Sequence, residues 1–277
     1  MPEITANGAQ FEYVEQGQGE PLILVHGALG DFRTSPLQLE SFAKYYRVIA
    51  YSRRYHYPNP WVGDGRDYSP LLHSEDLAAL ITSLGLDRAH IVGSSYGAYI
   101  ALFLAVRHSE LVRTLVLGEP PIYSWLEQHP EGRTLLADYR SIAWEPARQA
   151  FYQGELEQAT QLFIDGVLGA GTFDQIPPPA RETMLDNVLA LKAEVATPGD
   201  FPPLTSEDTR HIAAPALLLT GEWSPRLFLL MTDELERGMP SCERAMIPET
   251  SHAMASGNPE AYNKIVLDFL AKHSKAD

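Results

Sequence analysis

Between residues 22 and 119, short apolar runs alternate with longer stretches of helical spacing. Residues 22–25, 48–51, 90–93 and 114–117 are brief, rich in β-branched side chains and bounded by turn or polar residues, which predicts strands. Residues 71–86 carry Leu77, Leu80, Ile81 and Leu84 at spacings that share one helical face. A second helix, rich in Ala and Leu, is predicted over 97–108. Strands alternating with helices in this way predict an α/β fold, with a mostly parallel sheet covered on both faces. Ahead of it, residues 3–16 predict an antiparallel hairpin turning at Asn7-Gly8. The alternation resumes after residue 212, with strands at 216–220 and 244–247. A helix that includes 231–237 and a final one over 259–272 complete the pattern.

Residues 120–210 depart from it. They hold 10 of the 21 prolines, 14 acidic residues and 6 basic ones, and show no strand pattern. Helical spacing over 134–142 and 181–193 is separated by a break at Pro177-Pro178-Pro179. Because the strands return afterwards, this segment reads as a helical insertion on a core made of residues 1–119 and 211–277. The competing reading is a second independent domain.

Charge narrows the partners. Lys and Arg number 21 against 36 Asp and Glu, a formal net charge of −15. Such a surface repels nucleic-acid phosphates and anionic membranes alike, so neither is an expected partner. One cysteine, Cys242, excludes an intramolecular disulfide. No run approaches the roughly 20 apolar residues of a membrane helix. The N-terminal residues lack the basic and apolar regions of a signal peptide, and a cytoplasmic location is expected.

The sharpest chemical signal is Gly93-Ser94-Ser95-Tyr96-Gly97, a G-x-S-x-G between a predicted strand and a predicted helix. There it reads as a nucleophile elbow, a strained turn that exposes the Ser95 hydroxyl. The helix start beyond it carries a partial positive charge suited to a developing oxyanion. A bare glycine-rich turn is the bland alternative. His26-Gly27-Ala28-Leu29-Gly30 follows the first core strand, where its backbone can turn N–H groups into the same crevice. Two such donors, the Ala28 and Tyr96 amides, would form an oxyanion hole. A serine also needs a base. Of the nine histidines, His252 alone falls in the loop between the last predicted strand and the last helix. Loops at that end of a parallel sheet are where open α/β folds build their sites.

Together, Ser95 in its elbow, His26-Gly27 after a strand, and Ser251-His252 ahead of Asn258-Pro259 resemble the α/β-hydrolase superfamily. The likeness covers residues 10–118 and 213–272. It implies an α/β-hydrolase core with a helical cap over 120–210, most similar to cap-bearing esterases. Two departures stand out. The loop after Tyr51 reads Ser52-Arg53-Arg54-Tyr55-His56, where the family commonly shows Asp-x-Arg-Gly-x-Gly. The turn that usually supplies the triad acid reads Gly221-Glu222-Trp223-Ser224, with Ser224 at the acid position. Glu119, which ends the strand after the elbow helix, is the preferred replacement, because haloalkane dehalogenases carry their acid at that strand end. Glu222 is the second candidate, and another acid, or none, is the remaining alternative.

The resemblance thus implies a serine hydrolase that cleaves carboxylic esters through an acyl-enzyme, with Ser95, His252 and Glu119 as its triad and a small-molecule ester as its partner. Tyr123, Trp125 and Leu126 are expected to wall an apolar pocket, with cap packing as the alternative use. Haloalkane dehalogenases and epoxide hydrolases attack with a carboxylate instead of a serine. The same triad serves C–C bond hydrolases, lactonases and cofactor-free perhydrolases, and some members of the superfamily are slow-turnover ligand receptors. No zinc spacing, phosphate loop or dinucleotide glycine motif occurs, so neither cofactor nor metal is expected.

Overall fold

The computed structural model describes residues 1–196 and 203–274. Its centre is an eight-stranded sheet in the order β1-β2-β4-β3-β5-β6-β7-β8. The strands are β1 (Glu3–Ala6), β2 (Ala9–Gln16), β3 (Pro21–Val25), β4 (Arg47–Tyr51), β5 (Ala89–Ser94), β6 (Val112–Gly118), β7 (Ala216–Gly221) and β8 (Cys242–Ile247). β1 and β2 form the antiparallel hairpin, β2 runs antiparallel to β4, and every other pairing is parallel. The middle strands are buried along nearly their whole length, which is why they read as continuous apolar runs. β8, at the sheet edge, is only half-buried and carries Glu243 and Arg244.

Helices cover both faces. Helix α1 (Pro36–Phe42) packs on one side, helices α2 (Pro70–Ser83) and α3 (Tyr96–Arg107) on the other. Helix α3 is buried from Tyr96 to Ala105, as expected of a helix that is apolar all round. Helix α1 carries little of the spacing that marked the other helices.

Between β6 and β7 every regular element of the described residues is helical. These are α4 (Tyr123–Leu126), α5 (Pro130–Tyr139), a π turn (Arg140–Trp144), α6 (Glu145–Gln153), α7 (Leu156–Leu168), α8 (Thr172–Gln175), α9 (Pro178–Asp186), α10 (Val188–Ala196) and α11 (Ser206–Arg210). Two expectations here need correction. The break between helices narrows to Ile176-Pro177, and Pro178 and Pro179 already belong to α9, since a first helical turn lacks N–H partners anyway. The helix predicted over 181–193 is split at Asn187, whose side chain is drawn into tertiary bonds. It accepts the Tyr57 amide (2.8 Å) and donates to Asp31 Oδ2 (2.8 Å). Those contacts, with the Arg33–Asp186 ion pair, set the helical segment against loops that follow β3 and β4.

After β7 come α12 (Arg226–Gly238), then β8, α13 (Met254–Gly257) and α14 (Pro259–His273); α14 lies on the same face as α1. Among the described residues, no helix is long and apolar enough to cross a membrane. The parallel register sets Val25 beside Gly93, Ser94 beside Gly118, and Gly118 beside Leu219. The carboxyl ends of four neighbouring strands therefore lie side by side.

Candidate active site

Ser95 sits between β5 and α3 at φ 51°, ψ −119°, a strained conformation for a residue with a side chain. Its amide donates to Gly118 O at 2.7 Å, which ties the turn to the end of β6. Both flanking glycines are steric necessities. A Cβ on Gly93 would lie 2.6 Å from Gly97 O, and one on Gly97 would lie 2.1 Å from Val25 O. Helix and strands thus converge on the serine more closely than any side chain permits. Gly27, in the loop after β3, lies beside the serine with more room, since a Cβ there would make an ordinary contact of 3.5 Å with the Ser95 Cβ. Tyr96 opens α3, where an amide has no carbonyl one turn back to bond. Among the described residues, neither the Tyr96 nor the Ala28 amide donates to an acceptor.

His252 follows β8, and its Nδ1 lies 2.5 Å from Glu119 Oε2. Glu119 leaves β6 at φ 45° and is fully buried; its second oxygen accepts the Gly221 amide at 3.0 Å. Both carboxylate oxygens are therefore matched by N–H donors. Phe228 of α12 stacks on the imidazole, with ring centroids 4.0 Å apart and planes inclined by 22°. The ring is held at its edge by a carboxylate and at its face by an aromatic. Its Nε2 is buried and has no hydrogen-bond partner among the described residues. The Ser95 amide is tied to Gly118 O, one residue before Glu119 in the chain. Such an arrangement can accept a proton at Nε2 while Glu119 stabilises the imidazolium.

A model of the alpha/beta hydrolase family matches residues 22–265. The chain belongs to that family. It is 27% identical over 288 residues to epoxide hydrolase 3 of Xenopus tropicalis, covering 95% of this chain and 75% of the relative. To 2-hydroxymuconate semialdehyde hydrolase of Pseudomonas putida it is 25% identical over 295 residues, covering 98% and 94%. Among solved structures, the enol-lactonase from Burkholderia xenovorans LB400 matches with a TM-score of 0.78 at 18% identity, covering 98% of this chain and 100% of that one. A carboxylesterase from Bacillus subtilis matches with a TM-score of 0.75 at 18% identity, covering 98% and 90%. At such identities the structural likeness concerns the fold.

In this alpha/beta hydrolase the two candidate acids are in different surroundings. Glu222 is exposed and its carboxylate accepts the Glu249 amide (2.8 Å), whereas Glu119 meets the histidine. Ser224 is buried, and its hydroxyl has no hydrogen-bond partner among the described residues. Of the three residues expected to wall a pocket, two are engaged in packing. The Trp125 indole N–H donates to Leu204 O (2.7 Å), and Leu126 is fully buried where α5 closes on it at Gly132. Tyr123 is half-buried and its hydroxyl donates to that of Tyr139 (3.2 Å). Among the described residues, no cluster of three or more His, Cys, Asp and Glu could hold a metal ion.

The sequence reading did not single out Phe228, the Gly221 amide, or a group made of buried Arg53 and Tyr68 with half-buried Glu194. Arg53 Nη1 donates to the Tyr68 hydroxyl (3.2 Å), which lies 3.5 Å from Glu194 Oε2 on α10. Burial pushes the Glu194 carboxyl up to about 7, against the lowering pull of Arg53. Only the unusual arginine pair after Tyr51 signalled this group in advance.

Proposed function

We propose that this alpha/beta hydrolase is a serine carboxylic-ester hydrolase that works through an acyl-enzyme. The observation that carries the reading is a serine at the elbow together with a histidine whose Nδ1 is held by a buried carboxylate. His252 Nε2 takes the Ser95 proton as Oγ attacks the ester carbonyl. The Ala28 and Tyr96 amides receive the oxyanion, and Glu119 supports the imidazolium. On collapse the ester C–O bond breaks, and His252 returns the proton to the leaving alcohol. Water then gives His252 a proton, attacks the acyl group and releases the carboxylic acid, and Ser95 recovers its own. Relatives that open epoxides attack with a carboxylate, and residue 95 supplies a hydroxyl instead. No step draws on a cofactor.

A second reading, hydrolysis of a C–C bond by the same triad, is favoured by the near full-length similarity to the semialdehyde hydrolase. Both readings place the acyl group on Ser95. Treatment with a fluorophosphonate is expected to modify Ser95 alone, read by peptide mass mapping. Ser95→Ala should lose turnover of p-nitrophenyl esters to the level of buffer. Label on Ser94 or Ser251, or an active Ser95→Ala variant, would refute the assignment. A screen over acyl and alcohol sizes, run beside a vinylogous 1,5-diketone acid, separates ester from C–C hydrolysis.

A further inference from the structure

Arg53 lies just past β4 and is almost wholly buried. A charge taken out of water is costly unless its hydrogen bonds are replaced, so the groups it touches define its role. Its Nη2 donates to Gly27 O at 2.9 Å and its Nη1 to the Tyr68 hydroxyl at 3.2 Å. The guanidinium carbon lies 5.0 Å from the centre of the Tyr96 ring. The Arg53 amide donates to His26 Nε2 (3.0 Å). With that nitrogen accepting, His26 Nδ1 carries the proton and donates it to Gly27 O (2.9 Å). Burial first, and the Arg53 charge second, push His26 well below the ordinary histidine range, which keeps it in this neutral form.

The Gly27 carbonyl therefore receives a guanidinium and an imidazole together. A trans peptide is planar, so the Gly27 C=O and the Ala28 N–H form one rigid unit and point in opposite directions. Clamping the carbonyl on the Arg53 side turns the Ala28 N–H to the other side. A cationic donor on the carbonyl oxygen also polarises the peptide and strengthens its N–H as a donor.

We propose that Arg53 is a positioning residue for the oxyanion hole, fixing the Gly27–Ala28 peptide so that the Ala28 amide meets the charge that develops next to Ser95. The proposal rests on the ester-hydrolase reading and adds to it a residue outside the triad. Tyr68 holds the second prong of the guanidinium, and Glu194 of α10 supplies the facing carboxyl group. Arg53 touches none of the reacting atoms. Its effect should appear in the transition state and not in ground-state binding.

The test uses Arg53→Met, which keeps much of the stem volume and removes the donors, and Tyr68→Phe, which removes one hydroxyl. Direct removal of an oxyanion-hole donor costs about 10²–10³ in kcat; loosening one is expected to cost roughly 30-fold in Arg53→Met and roughly three- to tenfold in Tyr68→Phe. KM should stay within about threefold, and inhibition by a trifluoromethyl ketone, whose serine adduct carries the oxyanion, should weaken in parallel with kcat. Arg53→Lys, which restores one charged donor, should recover part of the loss. Unchanged kcat in folded Arg53→Met, or a loss confined to KM, would overturn the proposal. If Arg53→Met does not fold, Tyr68→Phe decides, with unchanged kcat as the refuting result. Fluorophosphonate on the wild type keeps the two readings apart. No Ser95 adduct there would refute the ester-hydrolase reading and the proposal with it. An adduct in the wild type with undiminished kcat in the variants would refute the role of Arg53 alone.

Discussion

Glu119 holds φ 45° while fully buried, two costs that a surface glutamate avoids. They are offset by two N–H donors, from Gly221 and from His252. Replacing Glu119 by Gln keeps the shape but puts an amide where the imidazole N–H must be accepted. The loss of an equivalent carboxylate in a serine protease lowers kcat by about 10⁴ through the wrong tautomer. For Glu119→Gln a fall of at least about 10²-fold in kcat is expected, while Glu222→Gln should cost less than about tenfold. Steady-state kinetics on both, with circular dichroism to check folding, decide the matter, and a crippled Glu222→Gln would move the acid to the loop after β7. Ser95 and His252 were legible because each belongs to a local pattern. Glu119 was legible only as an alternative raised by Ser224. The Gly221 amide and Phe228 left no local trace, because what they contribute is set by packing between distant segments.

The same contrast holds for the elements. The strands could be read to within a residue or two, since buried parallel strands are continuous apolar runs. The split at Asn187 could not, because residues 31 and 57 supply the bonds that compete with the helix. The elbow lies between these cases: its glycines are visible in the sequence, while the contacts that require them are tertiary. Gly97→Ala would push a methyl into the Val25 carbonyl at 2.1 Å, and neither backbone segment can yield without moving β3. Gly118→Ala meets Met254 Cε at 3.2 Å, the mobile end of a flexible side chain. Overpacking costs typically about 1–3 kcal/mol, and more where backbone must shift. Gly97→Ala should therefore lie at or beyond the upper end and Gly118→Ala near the lower. Chemical denaturation of the two variants checks the order, and equal costs would mean that the elbow adapts.

Across the whole molecule, helices between β6 and β7 pack against the loops that follow β3 and β4, and one of them sets the half-buried Glu194 there. The Glu194 carboxyl lies against Tyr68 and faces Arg53, with Tyr96 from α3, Tyr123 from α4 and Tyr139 from α5 also within its field. Burial outweighs the Arg53 charge and raises the group from 4.5 to about 7. In the unfolded chain it titrates near 4.5, so between these values the folded protein holds a proton that the unfolded chain has lost. Stability falls with rising pH wherever the folded state binds more protons. The contribution is thus fully present below about 4.5 and is lost as the pH rises to about 7, beyond which it no longer changes. Other carboxylates titrate in the same range, so the measurement is the difference in Tm between Glu194→Gln and wild type at each pH. Gln copies the neutral acid, and the two should melt together near pH 4. The variant should then gain on the wild type up to about pH 7 and hold a lead of roughly 5 °C above it, given the modest Tm shift per kcal/mol in a chain of this length. A Tm difference that stays flat across that range would mean that Glu194 is ionised throughout and that Arg53, not burial, governs it.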